Sequence, residues 1–212
     1  MNNIPPVGYE HHKLHGAMFS VNRSITANYN YSYVARYEKY PQKALSKIRA
    51  DVALALAKNL TQVCDVGCGT GAFLGELKER VPNLNTFGYD VSDYPLPNWI
   101  NKVPDWSEKA WELVTFFDSL EHFTNIDFVE SLNAKYVIVS VPWYHPCLGH
   151  SWFYNWKHRR PGEHLWHFTP DTLSAVFARG GFIPRIIGNP EDQVRKSDNF
   201  TSNILTVGFE KI

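Results

Sequence analysis

The sequence predicts an α/β protein built on a doubly wound, mostly parallel sheet, and three stretches carry that prediction. Val63 to Leu74 reads as a buried strand that passes through a glycine-rich turn into a helix. Val63 and Val66 are β-branched, Gly67, Gly69 and Gly71 permit positive φ, and Ala72, Phe73, Leu74 and Leu77 recur at helical spacing. The runs Leu113 to Phe117 and Tyr136 to Val141 are apolar throughout, as strands buried on both faces of a parallel sheet are. A chain of 212 residues has room for one domain with a substantial core.

Taken in order, Met1 to about Ser20 is polar and carries Pro5, Pro6, His11, His12 and His15. It reads as a mobile arm or loosely docked lid, with residues 1–43 as an N-terminal segment ahead of a single domain over 44–212. No cysteine or carboxylate accompanies the histidines at ligand spacing, which favours solvated imidazoles over a metal site. Tyr29, Tyr31, Tyr33, Tyr37 and Tyr40 flank Arg36. A guanidinium among phenols suits a carboxylate, and the same residues also suit a tyrosine-rich face packed on the domain. Pro41 is placed to start a helix with the apolar stripe Ala44, Leu45, Ile48, Val52, Leu56 and Leu60.

Asn85 to Asp90 reads as the second strand, and Asp90 stands near the spacing at which an acid accepts hydrogen bonds from ribose hydroxyls. Pro95 and Pro97 forbid a regular helix after it, leaving a short strand from Trp99 to Val103. The strand ending at Phe117 runs into Asp118-Ser119-Leu120-Glu121-His122. A histidine there suits a general base, since imidazole titrates near neutrality, and equally suits a helix cap. A helix from about Ile126 to Leu132 precedes the strand from Tyr136 to Val141, which Pro142 stops. The aromatic and basic insertion at about 142–168 lies where α/β folds carry substrate specificity. Within it, aromatic faces alternate with cations, which suits a ring or sugar bearing carboxylate or phosphate; the plainer reading is a solvated basic turn beside a small aromatic core. Thr169 and Pro170 begin a helix that Gly180 and Gly181 end, and Phe182 to Gly188 and Ile204 to Phe209 are the last strands.

Lys plus Arg and Asp plus Glu each number 21, so no global field draws the chain to nucleic acid or membrane. No apolar run reaches spanning length. Three cysteines, two of them in the glycine turn, predict a reduced, cytoplasmic setting. Aromatics at 15%, including seven Trp, suggest an aromatic-lined pocket or cap.

The turn opens onto a helix N-terminus and is built to hold a small cofactor. Gly67-x-Gly69-x-x-Ala72 fits a relaxed dinucleotide pattern, but Asp65 two residues before the first glycine would repel a pyrophosphate and attract an ammonium or sulfonium. The run D-V-G-C-G-T-G from Asp65 to Gly71 resembles motif I of the class I S-adenosylmethionine-dependent methyltransferases. Asp118 to His122 (D-S-L-E-H) resembles motif IV of small-molecule O-methyltransferases, and Glu163 to Leu173 with Gly180-Gly181-Phe182 resembles the same region of ubiquinone-type enzymes.

The resemblance implies a seven-stranded, Rossmann-like sheet with its last strand reversed, and S-adenosyl-L-methionine as cofactor. It implies that Asp65, Gly67, Cys68, Gly69, Gly71, Asp90 and Val91 bind that cofactor. Asp105 and Trp106 would bracket the adenine, Trp106 serving equally as a core anchor, and Arg36 would hold the methionine carboxylate. Asp118 and His122 would face the transferable methyl, with His122 as base. Trp143, His145, Trp156, Arg159, Arg160 and His164 are the candidate acceptor residues. Methylation of a small molecule on oxygen is the leading expectation, without a metal. The rival sets Asp118, Glu121, His122 and His164 around a divalent ion, similar to some ubiquinone-pathway and small-RNA 2′-O-methyltransferases, although Asp stands where those carry Glu. The glycine turn is also compatible with a noncatalytic S-adenosylmethionine-binding module or an NAD-dependent enzyme.

Overall fold

The computed structural model describes residues 4–37, 42–196 and 201–212. The chain opens with β1 (Tyr9–His11), β2 (Met18–Ser20), α1 (Tyr31–Tyr37) and α2 (Gln42–Leu56). Strands and helices then follow as β3 (Gln62–Val66), α3 (Ala72–Arg80), β4 (Asn85–Tyr89), β5 (Asn101–Lys102), β6 (Trp111–Phe117) and β7 (Ala134–Pro142). The last elements are α4 (Gly149–Asn155), β8 (Trp166–His167), α5 (Pro170–Ala178), β9 (Phe182–Gly188) and β10 (Ile204–Lys211).

Seven strands form the main sheet in the order β5-β4-β3-β6-β7-β10-β9. β3 runs parallel to β4 and β6, and β6 parallel to β7, while β10 is antiparallel to both β7 and β9. This is the doubly wound, Rossmann-like sheet with one reversed strand that the sequence implied. The strand order reverses direction between β3 and β6, so the crevice beyond their carboxyl ends is where such a sheet binds ligands.

Alternation along the strands explains why both faces are covered. On β6, Leu113 and Phe117 point into a core shared with α2 and α3, whereas Val114 and Phe116 point into a second core shared with α5. On β7, Ile138 joins the first core, and Val137 and Val139 join the second. Among the described residues, no helix is long and apolar enough to cross a membrane.

Four local expectations need correcting. The segment read as an arm is structured: β1 and β2 form a hairpin, β2 pairs with β8, and Ala17 and Met18 are buried. α2 turns its small side chains inward, with Ser46, Ala50 and Ala53 buried, while Ala44 is exposed and Leu45, Ile48, Val52 and Leu56 flank them half-buried. Close packing on α3 and on Gly208 selects small residues there: a Cβ on Gly208 would lie 3.1 Å from Leu56. The stretch from Ile126 to Leu132 is a 3₁₀ turn over Asp127–Ser131, and β5 is only two residues long. Tyr40 and Pro41 lie outside the described residues.

Candidate functional site

A cavity of about 680 Å³ opens at the carboxyl ends of β3, β4 and β6. Its first half is the glycine turn. Gly67 has φ 86°, and a Cβ there would sit 2.6 Å from Cβ of Ser119, whose hydroxyl donates to the Val66 carbonyl at 2.6 Å. Only glycine lets the β3 turn lie this close to the end of β6. Asp90 at the end of β4 accepts from the Gly69 N–H at 2.8 Å through one oxygen and from the Ser92 N–H at 2.8 Å through the other. Those bonds aim its carboxylate at the turn and leave acceptor capacity facing the cavity.

Asp65 is 3% exposed and accepts from the Thr115 hydroxyl at 2.7 Å. Burial pushes its carboxyl up to about 6, against the opposing pull of that hydrogen bond and of Arg49. A buried acid beside backbone N–H groups, with no cation bonded to it among the described residues, suits a cationic ligand group. Cys68, Val91, Asp65, Gly67, Gly69 and Asp90 all line this half.

The second half draws on distant segments. Asp118 follows β6 at φ 53°, in the left-handed region, and its N–H donates to the Ser140 carbonyl. Arg49 reaches its carboxylate at 2.6 Å and Arg195 at 2.8 Å, and both arginines also bind the buried Glu191, at 2.8 and 3.0 Å. Burial alone would raise Asp118, but the Arg195 and Arg49 charges outweigh it and hold the carboxyl far below the usual range. Asp118 therefore lines the cavity as part of a four-charge clasp.

His122 is held through Nδ1, which lies 2.9 Å from the Glu163 carbonyl and 2.8 Å from the Tyr29 hydroxyl. A carbonyl only accepts, so Nδ1 carries the proton and Nε2 keeps its lone pair. Burial lowers the His122 pKa, so the ring is neutral at neutral pH. Nε2 lies 3.9 Å from the Glu121 carboxylate. Glu121 is 1% exposed, and neither of its oxygens has a hydrogen-bond partner among the described residues; burial, then Asp118, raises its pKa well above the ordinary value. His164 donates from Nδ1 to the His158 carbonyl at 2.8 Å, and its ring meets that of His122 edge-on at 4.8 Å. One ligand atom each from Glu121, His122 and His164 falls within a 4.8 Å spread.

The remaining expected site residues stand elsewhere. Arg36 is exposed over the ring of Tyr33, 5.1 Å away, outside the cavity lining. Gly71 belongs to the turn, with φ 76°, but faces Ile100. Asp105 is exposed and accepts from the Ser107 N–H and hydroxyl, which hold its carboxyl below the usual value. Trp106 is a core anchor packed edge-on against Phe116 at 5.4 Å and Phe128 at 5.0 Å. Trp143 stacks on His145 at 5.4 Å beside a separate, smaller hollow. Trp156 packs with Tyr144 and Phe153, and the Arg159 guanidinium lies 5.0 Å over Tyr154. Trp156, Tyr144 and Phe153 belong to the core beneath the small sheet β1-β2-β8, while Trp143 packs against the core shared with α5. Of the insertion's candidates, Arg160 and His164 reach the cavity.

Arg49, Glu191, Arg195 and Tyr29 escaped sequence reasoning as site residues. Arg49 carried a weak signal, a cation beside the apolar Ile48 and Ala50 on a helix that also bears Lys43 and Lys47. Tyr29 stood out only as one of the tyrosines around Arg36, and Glu191 and Arg195 carried no signal, because their partners lie far away in the chain.

Comparison with known proteins bears on the family and the fold. A family model described as "Methyltransferase domain" matches residues 36–183. Sequence comparison with curated proteins gave no match. Among solved structures, a SAM-dependent methyltransferase from Archaeoglobus fulgidus is similar at 19% identity and a TM-score of 0.59, over 87% of this chain and 100% of that one. Magnesium protoporphyrin IX methyltransferase from Synechocystis PCC 6803, with bound SAH, is 18% identical at a TM-score of 0.56, over 80% and 84%. The plantazolicin methyltransferase, in complex with a triazolic desmethylPZN analog and SAH, is 13% identical at 0.56, over 85% and 88%.

Proposed function

Because the chain belongs to the methyltransferase-domain family, we propose that it is an S-adenosylmethionine-dependent O-methyltransferase acting on a hydroxyl of a small, anion-bearing acceptor. The observation that carries this reading is His122: a neutral imidazole, fastened through Nδ1, with its Nε2 lone pair available at the end of β6. The glycine turn lies at the end of the neighbouring β3.

The residues present fit the cofactor. Gly67 and Gly69 leave room for a ligand against the backbone, Asp65 suits its ammonium, and Asp90 suits its ribose hydroxyls. When bound, S-adenosylmethionine supplies an electrophilic methyl on sulfur. With it in place, the acceptor oxygen would take the methyl from sulfur, leaving S-adenosylhomocysteine, and His122 Nε2 would take the hydroxyl proton. The chain's part is alignment, exclusion of water and removal of that proton. Lys157, Arg160, Arg195 and Lys196 line the cavity with Tyr29 and Tyr33, which favours an acceptor bearing carboxylate or phosphate beside a planar group.

A second reading is favoured by one observation, the buried Glu121 carboxylate without a hydrogen-bond partner among the described residues. His122 and His164 both spend Nδ1–H on backbone carbonyls and turn Nε2 lone pairs to their surroundings, as imidazoles that ligate metals do. Glu121, His122 and His164 would then hold a divalent ion that lowers the acceptor hydroxyl's pKa, with Asp118 excluded by its arginines.

Labelled methyl transfer into pools of small hydroxy acids, sugar phosphates and short RNAs tests the function. Label in a small anionic acceptor supports it, and label in RNA alone overturns the acceptor class. Binding of S-adenosylhomocysteine with no labelled acceptor in any pool supports a noncatalytic module instead. If EDTA abolishes turnover and a divalent metal restores it, the second reading replaces the first.

A further inference from the structure

The stretch from Val21 to Arg36 lies across the cavity with almost no core of its own. Val34 is its one buried apolar side chain, at 5% exposure, and residues 21–26 are exposed throughout. Specific contacts hold it instead. At the acceptor end the N–H of Thr26 donates to the Gly162 carbonyl at 2.9 Å, the Tyr29 hydroxyl meets His122 Nδ1 at 2.8 Å, and the Tyr33 hydroxyl donates to Glu163 at 3.0 Å. At the cofactor end Tyr31 stacks on Tyr94 at 5.1 Å, and Val34 lies 3.9 Å from where a Cβ of Gly69 would be. Ile25, Tyr29, Tyr33 and Val34 all line the cavity.

A segment held by a few polar latches over a large cavity belongs to the low-stability end of a fold. Here one segment touches both the glycine turn and the candidate base. We propose that Ile25 to Tyr37 is a strap that lifts to admit the cofactor, and that Tyr29 is a positioning residue through which closure of the strap sets the orientation of His122. The inference rests on the cofactor reading above. The Glu163 carbonyl decides which nitrogen of His122 is protonated; Tyr29 meets the same nitrogen from the strap side and packs edge-on against the ring at 5.5 Å and 80°. The ring is therefore gripped from both sides only while the strap is down.

Stopped-flow binding of S-adenosylhomocysteine to the full chain tests the strap, with Tyr29→Phe and Tyr33→Phe keeping the rings and removing the latching hydroxyls. Both association and dissociation should speed up about fivefold in the double variant, with the dissociation constant changed less than about twofold, as expected when a closed state is depopulated. ¹⁵N-histidine spectra of the bound protein test Tyr29 separately. Tyr29→Phe should shift or broaden the His122 ring signals and leave those of His158 in place. Rates indifferent to both hydroxyls in a folded, ligand-binding protein overturn the strap, and an unchanged His122 spectrum overturns the positioning role. A wild-type chain that binds no S-adenosylhomocysteine overturns the cofactor reading and this inference with it.

Discussion

The two halves of the cavity are built in opposite ways. The cofactor half is drawn mainly from one short stretch, Asp65 to Val91, buttressed by Thr115 and Ser119 from the neighbouring strand end, and its Gly69 to Asp90 hydrogen bond spans 21 residues. The acceptor half joins Arg49 to Glu191 across 142 residues, Arg195 to Asp118 across 77 and Tyr29 to His122 across 93. A local half survives as a sequence pattern, because its geometry follows from glycine φ angles and a strand-end acid. A nonlocal half exists only once the sheet has formed, and its stability resides in charge pairs.

If the halves are functionally separate, His122→Ala should lower turnover by about 10² to 10⁴, the usual span for general-base removal, and leave S-adenosylhomocysteine affinity unchanged. Loss of that affinity would make His122 structural and blur the division. Glu191→Ala probes the clasp. It leaves the buried Arg49 with half its partners, and breaking such a buried cluster costs about 3–5 kcal/mol in chemical denaturation. A loss under about 1 kcal/mol would mean that water replaces the carboxylate readily. Asp90→Ala should weaken S-adenosylhomocysteine by about 1.5–3 kcal/mol in calorimetry, and unchanged affinity would remove Asp90 from the site.

The smallest effect is on pH. The folded pKa of Asp65 is raised from 3.8 to about 6, so its ionisation opposes folding: stability falls as pH rises through that window and is level above it. Ligand binding runs the other way, because the ionised carboxylate attracts the ligand's ammonium. S-adenosylhomocysteine affinity should rise about tenfold from pH 5 to pH 7, and Asp65→Asn should flatten the rise.

The same contrast explains what could be read in advance. The buried strands of the main sheet, the glycine turn, the position of Asp65 near the end of β3 and of Asp90 just past β4, and the capped start of α5 at Thr169 depend largely on neighbours in the chain. These stand where the sequence placed them, unlike the helix over Ile126 to Leu132 and the strand over Trp99 to Val103. The resemblance made Arg36 the holder of the methionine carboxylate, and its tyrosine neighbours suited that role or a packed face, yet Arg49, Arg160 and Arg195 are the arginines that line the cavity; neighbours in sequence could not tell which would. Trp143 and Trp156 suggested an aromatic cap, but Trp156 packs into the core beneath the small sheet β1-β2-β8, and Trp143 stacks on His145 against the core shared with α5. Composition counts aromatic rings without saying which face they cover.

The central claim is that the turn at Gly67 to Gly69, with Asp65 and Asp90, holds S-adenosylmethionine so that its methyl faces His122. A crystal structure of the complex with S-adenosylhomocysteine tests it most directly. The account predicts ribose hydroxyls on Asp90, the amino group beside Asp65 and the sulfur turned toward His122. Ligand bound away from the glycine turn, or with its sulfur turned from His122, would contradict it.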